Sequence, residues 1–389
     1  MKIRKLIKWL AVGLLAVSAA NTASGAEDNL YMVVDLSGGT EAERYPVRYS
    51  PTPPDLNDDT CRTTELWLRR IPAGTFVMGS PEEELGRKEN EVQHRVTLSE
   101  DFYIGVFQMT QKQHELVMGI NTAQHEGDMR PVETLSYVML RGKVAEGVNW
   151  PQTGSIVTAN SFMGVIREKT RLIFDLPTEA QWEYACRAGT ATALNSGKNL
   201  TDTKHCPNMD ELGRYWCNQN DGKGKEVLKT KLTISLSPML SLILATAGYV
   251  MNGNPTGECI PHTKVGLYQP NAYGLYDMHG NVWEMCLDWY TANLSTPEML
   301  GLDGAFTREL QIAYQNGTLA ATDPKGPDSS SSNIRLLRGG GCSNNAFYNR
   351  SGHRYARVPG NIAHDCGFRV CVLLTPVPYR PGTPTPGLR

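Results

Sequence analysis

The sequence predicts an α+β fold, with short strands and few helices joined by long loops. Three observations carry that reading. Apolar residues alternate in runs too short for helices, and capping signatures mark only a few helix starts. Frequent punctuation completes the pattern, with 37 Gly and 23 Pro in 389 residues.

Residues 27–60 mix polar residues with Pro51, Pro53 and Pro54 and hold one short apolar run, Tyr31-Met32-Val33-Val34. They read as an extended lead-in that adds one edge strand. Leu66-Trp67-Leu68 and the stretch from Ile71 to Ser80 alternate between Gly and Pro, which indicates strand and turn. Val96 to Ile104 alternates again, and Thr110 opens a helix through Val117. Thr178 followed three residues later by Gln181 is a capping box, in which each side chain satisfies a backbone N–H at the helix start. Pro177 and Trp182 stand at hydrophobic-staple positions, and Gly189 stands where this helix should stop.

Bulk properties bound the function. Lys plus Arg number 38 and Asp plus Glu 40, a net charge of −2, so no basic surplus points to nucleic acid. Forty per cent hydrophobic residues suit a globular chain rather than a disordered one. Lys2, Arg4, Lys5 and Lys8, an apolar run from Trp9 to Ala20 and the small residues Ser24-Gly25-Ala26 form a secretory signal peptide over residues 1–26. The mature chain is therefore expected to begin near Glu27 in a periplasmic or extracellular compartment. Nine cysteines in an exported chain raise the question of disulfides, and their connectivity is not legible. No C-x-x-C pair occurs, so cysteine spacing gives no zinc site.

Four segments carry a specific resemblance. They are Pro72-Ala73-Gly74-Thr75-Phe76-Val77-Met78-Gly79-Ser80, the run Leu176-Pro177-Thr178-Glu179-Ala180-Gln181-Trp182-Glu183-Tyr184-Ala185, residues 270–284 (PNAYGLYDMHGNVWE), and a closing stretch from Arg338-Gly339-Gly340 to Gly367-Phe368-Arg369. Together they resemble the formylglycine-generating (sulfatase-modifying factor) domain family over roughly residues 66 to 372. The resemblance implies a C-type-lectin-like α+β domain, placed here at residues 61–375, with a Pro-rich tail at 376–389. Residues 226–261 look like an insertion; its apolar run, Leu232 to Met251, is broken by Pro238 and is read as a packed insert, not a membrane span.

Family oxidases hold copper with two cysteines five residues apart after the R-G-G. The corresponding places here are Asn344 and Asn349, and an amide is not a useful copper ligand. Copper is therefore not expected. Cys342 with a distant partner would need a rearranged loop to replace the pair. Calcium is the cofactor the resemblance does imply, through Asp277, Gly280, Val282 and Glu284. Read from the residues, two carboxylates bracketing a tight Gly280-Asn281 turn suit a hard cation, or simply accept neighbouring backbone N–H groups.

Nucleophilic and general-base catalysis find little support. The eight histidines are scattered, and neither H-E-x-x-H nor G-x-S-x-G occurs. Residues 341–366 contain no Lys, Glu, Gln, Met or Trp, the residue set left by codons ending in a pyrimidine. That pattern fits either a retroelement-diversified loop or an ordinary turn-rich one. The reading is a secreted, non-catalytic ligand binder using this loop, through Cys342, Asn344, Tyr348, Asn349, His353, Arg354 and Tyr355. Two alternatives remain: an oxidase acting on a sulfatase cysteine, and a structural envelope protein.

Overall fold

The computed structural model describes residues 29–143, 148, 156–218, 229–230, 262–292, 320–327 and 333–373. The segments read as a signal peptide, as the apolar run of an insertion and as a Pro-rich tail lie outside the described residues.

In chain order the elements are β1 (Tyr31–Asp35), β2 (Val47–Ser50), β3 (Glu65–Ile71), β4 (Gly74–Met78), β5 (His94–Leu98) and β6 (Phe102–Gly105). Then come α1 (Gln111–Met118), β7 (His125–Glu126), α2 (Tyr137–Arg141), α3 (Phe162–Thr170), β8 (Phe174–Asp175), α4 (Glu179–Arg187) and β9 (Lys229–Thr230). The remainder are β10 (Trp283–Trp289), β11 (Ala320–Thr322), β12 (Arg335–Arg338), β13 (Tyr355–Arg357), β14 (Cys366–Gly367) and β15 (Cys371–Leu373). Short twisted sheets with few helices are the predicted α+β class.

The largest sheet runs β2-β1-β3-β6-β15-β8. Here the expected lead-in needs correction. β1 pairs antiparallel with β2 on one side and β3 on the other, so it is an interior strand, and residues 31–35 and 47–50 are part of the sheet. The reason is in its sequence: Tyr31, Met32, Val33 and Val34 are consecutive and all buried, the mark of a strand covered on both faces. Met32 and Val34 join the core with Leu66 and Leu68, while Tyr31 and Val33 pack with Trp67 and Phe107.

Helix starts follow their capping signals. Thr178 accepts from Gln181 N–H while Gln181 returns the bond to Thr178 N–H, at 3.2 and 2.9 Å. Thr110 and Gln113 form the same box at the start of α1. α4 ends one residue before the expected stop: Ala188, at φ 46°, takes the left-handed position and Gly189 follows at φ 92°.

A second sheet, β13-β12-β10-β14, positions the site. It brings together the R-G-G strand, the strand after the Gly280-Asn281 turn, the first residues of the G-F-R end, and part of the loop between those ends.

Candidate functional site

Under loop 341–366 lies a set of buried ion pairs that explains why these segments share residue types. On α4, Glu179 and Glu183 are one turn apart and face the same side. Glu183 pairs with Arg338 and with Arg187, and Glu179 takes a bidentate fork from Arg354 at 2.6 and 2.9 Å. Burial works against the Glu183 carboxylate, yet the two guanidinium groups hold its pKa below the ordinary range. Glu284 accepts from Trp182 Nε1 at 2.7 Å and from Arg369 at 2.9 and 3.0 Å. Arg369 also donates to the carbonyls of Gly105, Val106 and Tyr276. Glu179, Glu183 and Glu284 are thus each neutralised by an arginine inside the core.

The same accounting reassigns part of the expected ligand surface. His353 and Arg354 are buried, His353 against Glu91 and Arg354 against Glu179. Cys342 and Asn349 are buried as well, and Asn344 and Tyr348 are half-buried. Of the expected contact residues only Tyr355 is exposed, at 38%. The reason is chemical: cationic and aromatic groups suit interfaces, but here opposite charges on β5-side and α4 segments claim them first. Arg350 completes this inner half, reaching Glu84 and both oxygens of Glu91. Glu91 is pulled down to about 2 because its bonds from His353 and Arg350 outweigh the cost of burial.

Asn344 and Asn349 each lie against the Gly340-Gly341 turn. A Cβ on Gly340 would collide with Asn349 Oδ1, and one on Gly341 would lie 3.4 Å from Asn344 Oδ1. Both amide oxygens are buried with no hydrogen-bond partner among the described residues. Asn349 is held by its own Nδ2, which donates to Asn345 O at 2.8 Å, and by its carbonyl, 2.6 Å from His279 Nδ1. His279 Nε2 accepts from Asn195 N–H, so Nδ1 carries the proton and donates. Burial lowers the pKa of His279 to about 4, which keeps the ring neutral.

The expected calcium loop forms a ring, and its centre is taken. Gln108 Nε2 lies 3.3 Å from Asp277 O, 3.1 Å from Gly280 O, 3.0 Å from Val282 O and 3.0 Å from Glu284 Oε1. These are N–H···O distances, well beyond the 2.3–2.6 Å of a calcium–oxygen bond. The Asp277 side chain also differs from expectation: Oδ2 accepts from Gly266 N–H at 2.7 Å, and only the backbone carbonyl joins the ring. Burial raises the Asp277 carboxyl to about 6. Gln108 Oε1, by contrast, is buried with no hydrogen-bond partner among the described residues, so the end of the amide that faces the ring decides between a donor and an oxygen ligand at its centre. Gly280 is required by the turn, since at φ 98° a Cβ would strike the Arg214 carbonyl.

The outer half of the loop is different. Tyr355, Val358 and Ile362 are exposed, at 38%, 48% and 53%. Tyr355 stacks on Trp283 with ring centroids 4.9 Å apart, and Arg357 is fixed by a fork to Asp365 at 2.8 and 3.0 Å. Val358, Pro359 and Gly360 also edge a cleft of about 320 Å³ with Tyr137 and Trp289.

A family model described as the sulfatase-modifying factor enzyme 1-like domain matches residues 54–373. The chain belongs to that family. It is 24% identical over 329 residues to the formylglycine-generating enzyme of Mus musculus, covering 77% of this chain and 73% of that one. A match to chaperone protein LppX of Paenibacillus barcinonensis is 29% identical over 227 residues, 52% of this chain and 67% of that one. Among solved structures, PvdO from Pseudomonas aeruginosa aligns with a TM-score of 0.53 at 20% identity, over 79% of this chain and 94% of that chain. That likeness speaks to the sulfatase-modifying fold alone.

Two features of this family member escaped sequence reading. Gln108 sits far from the Gly280-Asn281 turn in sequence, and nothing in its neighbourhood marks it as a partner of that turn. A cluster of His125, Glu133 and His262 is likewise assembled only by the fold. Cys61, Cys186, Cys206, Cys286, Cys366 and Cys371 are free and buried, and they fill space as small apolar side chains; Cys217 is free and exposed, and Cys259 lies outside the described residues.

Proposed function

We propose that this chain is an exported, non-catalytic, ligand-binding member of the sulfatase-modifying factor family. The observation that carries the reading is the pair Asn344 and Asn349, with buried amide oxygens where the family's oxidases place thiolates. Copper(I) needs soft ligands meeting at one point, and an amide oxygen is a hard donor. The basic and apolar start of the chain supports export. The outer half of loop 341–366 supports binding: Tyr355, Val358 and Ile362 are exposed on a scaffold whose inner half is locked by ion pairs. With Nε2 turned inward, Gln108 takes the central place that calcium would hold, which supports a fold independent of that ion.

Copper titration tests the proposal. Wild-type protein is expected to compete poorly for Cu(I) against a chromogenic chelator. The Asn344→Cys/Asn349→Cys double variant is expected to gain one tightly held copper. Tight binding by the wild type, or none by the double variant, would contradict the placement of the amide pair.

A further inference from the structure

One group of chemistry-bearing residues lies outside everything described so far. His125, Glu133 and His262 present ligand atoms that all lie within 4.8 Å of one another. Glu133 Oε1 is 3.7 Å from His125 Nδ1 and 3.6 Å from His262 Nε2. Two donors each about 2.1 Å from a tetrahedral metal stand about 3.4 Å apart, so the two carboxylate–imidazole pairs need only a few tenths of an ångström of closure. The two rings meet edge to face, with centroids 5.7 Å apart.

The hydrogen-bond accounting points the same way. His262 is fully buried, yet among the described residues neither of its ring nitrogens has a hydrogen-bond partner, and the buried His125 Nδ1 has none either; the Glu133 carboxylate stands just outside that range from both. A buried imidazole with unmet donors and acceptors is costly unless something fills the gap. Glu133, by contrast, is braced: its Oε1 accepts from Gln124 N–H and His125 N–H at 2.6 and 2.9 Å, and its Oε2 accepts from Thr134 Oγ1. Oriented carboxylates of this kind are usual where a ligand must be held in place.

We propose that His125, Glu133 and His262 form a binding site for a divalent first-row transition metal ion, with His364 positioned to join as a fourth ligand. Two imidazoles and a carboxylate suit such ions better than calcium or magnesium, which prefer all-oxygen shells. The ring of His364, on the exposed outer loop, lies 6.1 Å from that of His125, and Thr134 N–H donates to the neighbouring Ala363 carbonyl at 3.1 Å. The ion would therefore tie the outer half of loop 341–366 to the segment carrying Glu133. It would also sit at the base of the insertion, because His125 pairs with Thr230 near its start and His262 follows its end. The proposal concerns binding, and no reaction is assigned to the site.

The test is titration of the metal-stripped full chain, without a polyhistidine tag, with Co²⁺ alone. One Co²⁺ per chain is expected, with visible absorption bands that Zn²⁺ displaces. His125→Gln and Glu133→Gln should each weaken binding at least about 100-fold, and His364→Gln about 10-fold. His205→Gln, at an exposed ring paired with Asp210, should leave binding unchanged. Near-ultraviolet circular dichroism separates lost ligands from lost fold, and the exposed His364 variant decides if the inner variants unfold. Failure of the wild type to take up Co²⁺, or unaltered affinity in the folded variants, overturns the proposal.

Discussion

Replacing Gln108 with Met removes the amide from the ring while keeping nearly the same volume. Four oxygens then lose the donor that sits 3.0–3.3 Å from each of them. Only two N–H bonds exist to be lost, and a buried acceptor left unmet costs about 1–3 kcal/mol. Glu284 Oε1 keeps Arg369, so the loss falls on the carbonyls of Asp277, Gly280 and Val282. The expected destabilisation is about 3–5 kcal/mol. At roughly 2–4 °C per kcal/mol, Tm should fall by on the order of 10 °C. Differential scanning calorimetry reads this directly. The informative companion is Gln108→Ala, which opens the centre: millimolar Ca²⁺ should raise its Tm while leaving that of the wild type unchanged. A calcium-dependent Tm in the wild type would refute the reasoning, because the ion would then be displacing the amide.

Acid stability follows from Glu91. Its pKa falls from an ordinary 4.5 to about 2 in the folded chain, so its contribution is complete above about pH 4.5 and is lost as pH falls toward 2. Urea unfolding across that window should show about 3 kcal/mol of loss that Glu91→Gln largely removes. The two halves of the loop should respond differently to truncation. Arg354→Ala leaves the buried Glu179 without its fork and should cost about 3–5 kcal/mol by denaturant unfolding. Tyr355→Ala loses only an exposed ring stacked on Trp283 and should cost about 1 kcal/mol. Equal costs would mean that the loop is not divided as described.

Much of the fold was legible because local signals and motifs agreed. Both Thr178 and Gln181 play their capping roles, and the strands predicted at Leu66–Leu68 and Ile71–Ser80 appear as β3 and β4. β1 lies inside the sheet and not at its edge because its unbroken apolar run outweighs the prolines that follow it. The site was harder to read because residue type does not reveal which partner wins. His353 and Arg354 resemble contact groups in isolation, yet Glu91 and Glu179, more than 170 residues away for the latter pair, draw them inside. Gln108 and His262 could not be seen for the same reason. Long-range contacts between polar residues leave no periodicity to find.

The central claim is that this family member has lost the oxidase chemistry along with its thiol pair. The most direct measurement incubates the purified protein with Cu(I), oxygen and a sulfatase-derived peptide containing the target cysteine. Mass spectrometry then follows the peptide. The account predicts unchanged peptide at every time point. Accumulation of the aldehyde product over multiple turnovers would contradict it.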